Sequence, residues 1–155
     1  MILTATTPRT PRVMSLIEPS QYQDKVAEKI LDAAFVVHSE LGPGLLERIY
    51  EVCMADLLTD WGFNVEIQKP FSVKFMNKCL DTGFKADLIV NNVVIVELKS
   101  VDKLIPVYDA QLLTYLKLSG IELGLLLNFN VSLMKYGIKR LIHTKSRGDR
   151  GVVAV

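Results

Sequence analysis

Asp87, Glu97 and Lys99 are the residues of this chain whose types and spacing could do chemistry together. They lie in the stretch 84–100, FKADLIVNNVVIVELKS, which reads as two β-strands joined by a short turn at Asn91 and Asn92. The second strand is apolar from 93 to 96 (VVIV), the pattern of a central, buried strand rather than a solvated one. A carboxylate and an ammonium at the end of such a run are costly to bury without partners. Strand side chains alternate, so Glu97 and Lys99 project from one face and Val96 and Leu98 from the other. A tight hairpin turning at 91–92 sets Asp87 nearly opposite Glu97. Two carboxylates and a lysine then converge on one spot. Hard oxygen ligands of this kind suit Mg²⁺ or Mn²⁺, which keep several waters and take one or two carboxylates from a protein. A lysine beside the ion would orient or deprotonate an attacking water and balance phosphate charge. A structural salt bridge at the end of a central strand uses the same three residues, and spacing alone does not choose between the two.

Three more polar residues stand near this pattern. Gln111 and Tyr115 are one turn apart on an expected helix and share a face. They suit a substrate phosphate or a metal-bound water, or they form a polar pair at the rim of an apolar helix. Glu47 follows Gly44 by three residues, where a carboxylate complements the helix dipole and can close a capping box. It is also placed to be a further carboxylate near the ion, and the two roles are compatible. His38 and His143 read as ordinary surface or satisfied core histidines. There is no glycine-rich phosphate loop, no GxSxG elbow and no Cys/His nucleophile pattern.

The elements that must position these residues follow in order. A helical stripe runs over 21–41, with Val26, Ile30, Ala33, Val37 and Leu41 on one face. Gly42-Pro43-Gly44 ends it, and Pro43 and Gly44 start a second helix that Gly62 stops. Strands are expected at 63–68 and, after Pro70, at 71–76, then the hairpin 84–90/93–99. A loop with Pro106 leads into a helix from about 107 to 119, followed by an apolar strand at 122–130 and a further strand near 137–143. From 45 onward the order is α-β-β-β-α-β. A helix between the hairpin and an apolar strand implies a crossover into the same sheet.

At 155 residues the chain is one domain with room for a full core. The expected divisions are a tail at 1–19, a folded domain at 20–143 and a basic tail at 144–155. No apolar run reaches the ~18 residues of a membrane span, and the N-terminus lacks the core of a signal peptide. The expectation is a cytoplasmic protein with no membrane partner. Cys53 and Cys79 lack metal-ligand spacing and read as reduced, buried thiols. The net charge is +1, but it is polarised: nine acids face three bases over 18–60, and six bases face one acid from 131 onward. That basic end suits a polyanion or simply a solvated tail.

Several motifs occur together. GLLERIY at 44–50 is a G-x-x-E-x-x-Y match, accompanied by KADLIV, VIVELKS, AQLLTYLKLSG and GLLLNFN. The stretch 30–142 closely resembles the prokaryotic GxxExxY proteins, a group within the PD-(D/E)XK nuclease superfamily. The resemblance implies an α/β (α+β) fold with a restriction-endonuclease-like α-β-β-β-α-β core. A central mixed sheet would be flanked by helices, with an extra N-terminal helix. It implies that Asp87 and Glu97 are metal ligands, joined by the backbone carbonyl of Leu98, and that Lys99 is the catalytic lysine. It makes Gln111 and Tyr115 a Q-x-x-x-Y element that binds substrate, and Glu47 the acidic residue of the first core helix. Ala86 stands where the name-giving motif has proline, which leaves the carboxylate in place. The implied activity is Mg²⁺- or Mn²⁺-dependent nucleic-acid cleavage, on DNA in preference to RNA, with a homodimer left open. The alternative is a non-catalytic nucleic-acid-binding or assembly module that keeps the fold.

Overall fold

A computed structural model of the protein describes residues 20–144. The tails expected at 1–19 and 144–155 therefore lie outside the described residues, apart from Thr144. The first helix, α1 (Gln21–Leu41), opens with a capping box. The Gln23 amide donates to Ser20 Oγ at 3.1 Å, and the Ser20 amide donates to Gln23 Oε1 at 2.9 Å. Its buried stripe follows the expected one from Val26 and Ile30 to Val37, but Leu41, expected to end it, is exposed. The second helix, α2 (Glu47–Asp60), starts later than the proline and glycines suggest. Gly42 and Gly44 take left-handed φ values of 69° and 92°, so the stretch between the helices is a loop. Tyr50 holds that loop: its hydroxyl donates to the Gly42 carbonyl at 2.6 Å and accepts from the Leu45 amide at 3.1 Å. Leu46 is the N-cap and makes no side-chain capping bond, so the capping box expected around Glu47 is not formed.

Five strands form one sheet in the order β1-β2-β3-β4-β5. β1 (Val65–Phe75) is a single strand where two were expected, because Pro70 does not interrupt it. β1 lies at the sheet edge, where a residue without an N–H is tolerated. β2 (Lys78–Val90) begins at the Asn77 turn rather than near Phe84. Past an irregularity at Phe71/Ser72, β1 and β2 continue as a two-stranded arm over 72–81, with Met76 79% exposed near its tip. Cys79 lies on this arm and is exposed, against the expectation of burial; Cys53 is half-buried.

β3 (Val94–Lys99) pairs antiparallel with β2 on one side and parallel with β4 (Leu123–Asn128) on the other. The crossover is α3 (Pro106–Ser119), with Pro106 in the first helical turn, where its missing N–H costs nothing. β5 (Ile138–Ile142) pairs antiparallel with β4 after a short 3₁₀ turn, Met134–Gly137. The expected α-β-β-β-α-β order is therefore present, preceded by α1 and followed by β5.

The period-two alternation of the strands divides the core. Leu88, Val96, Leu98, Leu125 and Leu127 pack under α1 and α2, whereas Ile89, Ile95 and Leu126 pack with Leu112 and Leu116 of α3. Each such side chain, fully buried, contributes roughly 1.5–3 kcal/mol. Gly137 is packed too closely for any other residue: a Cβ there would lie 1.9 Å from the Asn128 carbonyl oxygen. No helix among the described residues is long and apolar enough to cross a membrane. Two bases of the expected basic end are paired, Lys139 with Asp109 and Arg140 with Asp24.

Candidate active site

The hairpin register carries the first two site residues to one point. Val90 pairs with Val94, Ile89 with Ile95 and Leu88 with Val96, and there the ladder stops. Asp87 and Glu97 are the next residues on either side. Backbone groups freed where strands part must find other partners. Here the two carboxylates supply them: the Asp87 amide donates to Glu97 Oε1 at 2.9 Å, and the Leu98 amide donates to Asp87 Oδ2 at 2.9 Å. Glu97 is only 5% exposed. Burial, and next the charge of Asp87, push its carboxyl up to about 8; the Asp87 backbone hydrogen bond and Lys99 oppose the rise.

Lys99 is half-buried, and its ammonium lies 4.6 Å from the centroid of the Tyr108 ring. Among the described residues it forms no ion pair, so the structural salt bridge left open by the spacing is not formed. The strand end that carries it is fixed from several sides. The Phe129 amide donates to the Lys99 carbonyl at 2.9 Å, and Ser100 Oγ donates to the Leu45 carbonyl at 2.5 Å. Buried Asn128, in parallel register with Lys99, accepts from the Val101 amide at 3.1 Å and donates to its carbonyl at 2.9 Å. Phe129 stacks on Tyr50 with centroids 4.4 Å apart, so the tyrosine of GLLERIY braces both the α1–α2 loop and the floor of the site. His38 is a structural residue, as expected, with Nε2 2.8 Å from the Val131 carbonyl.

Gln111 and Tyr115 face one shallow cavity of about 130 Å³, together with Phe84, Ala110 and Thr114. Tyr115 stacks on Phe71 at 5.6 Å and meets Phe84 edge-on at 6.0 Å. Burial, then the charges of Glu97 and Asp87, push its phenol up to about 12. That electrostatic reach ties the cavity to the carboxylates. Glu47 is exposed in the first turn of α2, and its side chain makes no hydrogen bond or ion pair among the described residues.

The family model of the PD-(D/E)XK nuclease superfamily matches residues 24–141, most of the chain. This chain belongs to the PD-(D/E)XK nuclease superfamily. The three helices and five-stranded mixed sheet of the described residues are those of a restriction-endonuclease-like α/β fold with an added N-terminal helix. No curated protein and no solved structure matches the chain significantly.

PD-(D/E)XK nucleases commonly use Mg²⁺ or Mn²⁺, and the donor set here fits such an ion. Burial first, and then the neighbouring Asp87 charge, disfavour ionisation of Glu97, and a divalent cation beside the two carboxyls would offset both. Among the described residues no group of three or more His, Cys, Asp or Glu side chains is gathered for a metal. Two carboxylates without a protein cage suit a hydrated Mg²⁺ better than a closed Zn²⁺ site.

Two residues at this candidate site escape a reading of the sequence. Glu51, one turn after Glu47 on α2, is 4% exposed and pairs with Arg48. Gln68 of β1 joins it to the carboxylates: its Nε2 donates to Glu51 Oε2 at 2.6 Å and to Asp87 Oδ1 at 2.9 Å. The i, i+4 spacing of Glu47 and Glu51 was a signal for the first. Nothing in EIQKP signals the second.

Proposed function

We propose that this protein is a Mg²⁺- or Mn²⁺-dependent phosphodiesterase that cleaves DNA, with RNA the less favoured substrate. The observation that carries the reading is the pair Asp87 and Glu97, latched to each other's strands where the central hairpin opens, with Lys99 on the same strand as Glu97 and, among the described residues, outside any ion pair. Membership of a nuclease superfamily supports the reaction class.

Asp87 and Glu97 would hold the ion, with the Leu98 carbonyl as a third oxygen; Glu47, exposed at the start of α2 and not gathered with them among the described residues, would add a carboxylate only from outside that pair. Held by Asp87 and Glu97, such an ion would supply Lewis-acid polarisation of the phosphate and a more acidic attacking water. Lys99 positions the attacking water and offsets the negative charge that grows on the phosphate oxygens. Its backbone is anchored through Phe129 and its neighbour Ser100, so the ammonium is presented from a fixed base. Tyr115, with its phenol pushed up to about 12, stays protonated at neutral pH. It and Gln111 would place the scissile strand along the cavity beside α3.

Cleavage of single- and double-stranded DNA and RNA in Mg²⁺ or Mn²⁺, by wild type and by Lys99→Ala, tests the mechanism. The expected result is metal-dependent cutting by the wild type that the variant lacks. A wild type that cuts nothing, or a variant that cuts equally well, defeats it. Titration calorimetry with Mn²⁺ separates the two classes of protein, because a non-catalytic binding module has no need to take up the ion.

A further inference from the structure

Gln68 has the least expected backbone in the sheet. Its φ is 52°, a left-handed conformation that non-glycine residues rarely adopt and that costs on the order of 1–3 kcal/mol. Other non-glycine residues with positive φ, Met76, Asn77, Asn91 and Asn92, lie at the two hairpin turns, where that conformation reverses the chain. Gln68 reverses nothing, because β1 continues on both sides of it. Ile67 pairs with Leu88 and Lys69 with Ala86, while Gln68, opposite Asp87, drops out of the ladder between them.

The side chain uses the freedom gained. Its Nε2 donates to Glu51 Oε2 and to Asp87 Oδ1, so both amide hydrogens are spent on carboxylates. Glu51 is buried, and its other oxygen is held by Arg48. On Asp87, Oδ1 is held by Gln68 and Oδ2 by the Leu98 amide. Two donors on two oxygens set the plane of the carboxylate and leave its remaining lone pairs free.

We propose that Gln68 is a positioning residue: its amide clamps the Asp87 carboxylate against the Leu98 amide, with buried Glu51, itself paired to the exposed Arg48, as the anchor. A neutral donor is what this place requires. Lysine or arginine would hold Asp87 equally well but would cancel the charge that attracts a cation, and glutamate would repel both neighbours. A carboxamide orients an acidic ligand without neutralising it. The inference rests on reading Asp87 as a metal ligand.

The test uses the full chain with Gln68→Gly and Gln68→Met, and two measurements. The first is hydrogen exchange of the Leu98 amide in metal-free protein, and the second is Mn²⁺ affinity by titration calorimetry. Glycine accepts φ 52° without strain, and that relief offsets part of the two lost hydrogen bonds, so Gln68→Gly should stay folded with a melting temperature only modestly below that of the wild type. Its Leu98 amide should nonetheless exchange at least ~10-fold faster relative to neighbouring strand amides, and its Mn²⁺ affinity should fall ~10–100-fold, the usual effect of losing an outer-shell partner. Gln68→Met, similar in length but with no donor, should show both losses. Wild-type Leu98 protection and Mn²⁺ affinity in the two variants would overturn the proposal. So would a Gln68→Gly that is less stable but keeps both, since that is a purely structural residue. The exchange measurement needs neither metal nor nucleic acid. A wild type that cuts nothing, with Leu98 loosened by Gln68→Gly, therefore ends the nuclease reading and leaves the clamp standing.

Discussion

At its closed end the β2–β3 hairpin is held by its own backbone and by apolar packing. Leu88, Ile89 and Val90 ladder with Val96, Ile95 and Val94, all essentially buried, and Asn91 and Asn92 close the turn at φ 49° and 58°. At its open end, one residue further along each strand, the ladder is gone and Asp87 and Glu97 bridge the strands with side chains. The same two strands thus change from a robust to a costly means of attachment within one rung. Burying hydrocarbon at the closed end is favourable at any pH, whereas burying two carboxyls is tolerable only while one keeps its proton or a cation sits nearby. The closed end supplies the geometry, and the open end holds two hydrogen-bonded carboxyls at close quarters.

The largest expected contrast between the ends comes from Lys99→Ala. It should lower metal-dependent cleavage by ~10²–10⁴-fold, the usual contribution of a positioned acid–base group, while the melting temperature moves little. Leu88→Ala should do the reverse. Leu88 is 0% exposed, and its loss should remove roughly 2–5 kcal/mol in denaturant unfolding, while Mn²⁺ affinity of the folded fraction stays at the wild-type level.

The third test is pH. The Glu97 carboxyl is raised from 4.5 to about 8 in the folded protein, so across that window the folded state holds a proton that the unfolded state has released. The stabilisation is complete below 4.5 and is lost as pH rises through about 8, at no more than ~1.4 kcal/mol per pH unit. Thermal melts in chelator between pH 5 and 9 should show the decline, Glu97→Gln should flatten it, and Mg²⁺ at pH 9 should restore wild-type stability. The smallest effect belongs to the turn. Asn92→Gly relieves a left-handed residue and should add roughly half a kcal/mol, read by denaturant midpoint, with cleavage unchanged.

These residues differ in how visible they were in the sequence. Asp87 near Glu97 follows from alternation and a tight turn, both local, but the register is one residue off: Val90 pairs with Val94, so Val93 joins Asn91 and Asn92 in the turn and Asp87 comes level with Glu97. The parallel placement of β4 follows from a helix between two apolar strands. Pro70 misled because its effect depends on whether β1 is an edge strand, a tertiary fact. Glu51 was passed over for Glu47 because two carboxylates on one helix face look alike until packing buries one and exposes the other. Gln68 was unreadable for a deeper reason. Glutamine has no preference for left-handed backbone, so its conformation is imposed by what its side chain must reach.

Gly137 is buried at the end of a 3₁₀ turn and carries no chemistry, yet any side chain there would be driven into the Asn128 carbonyl. Asn128 grips Val101 by both its amide and its carbonyl, just beyond Lys99. A single methyl at 137 would thus reach the lysine as a shift of the strand that bears it. In a saturation screen scored on cleavage, position 137 would sort with the reactive residues, and a patient reading of such a map would place a glycine among them for what it leaves empty.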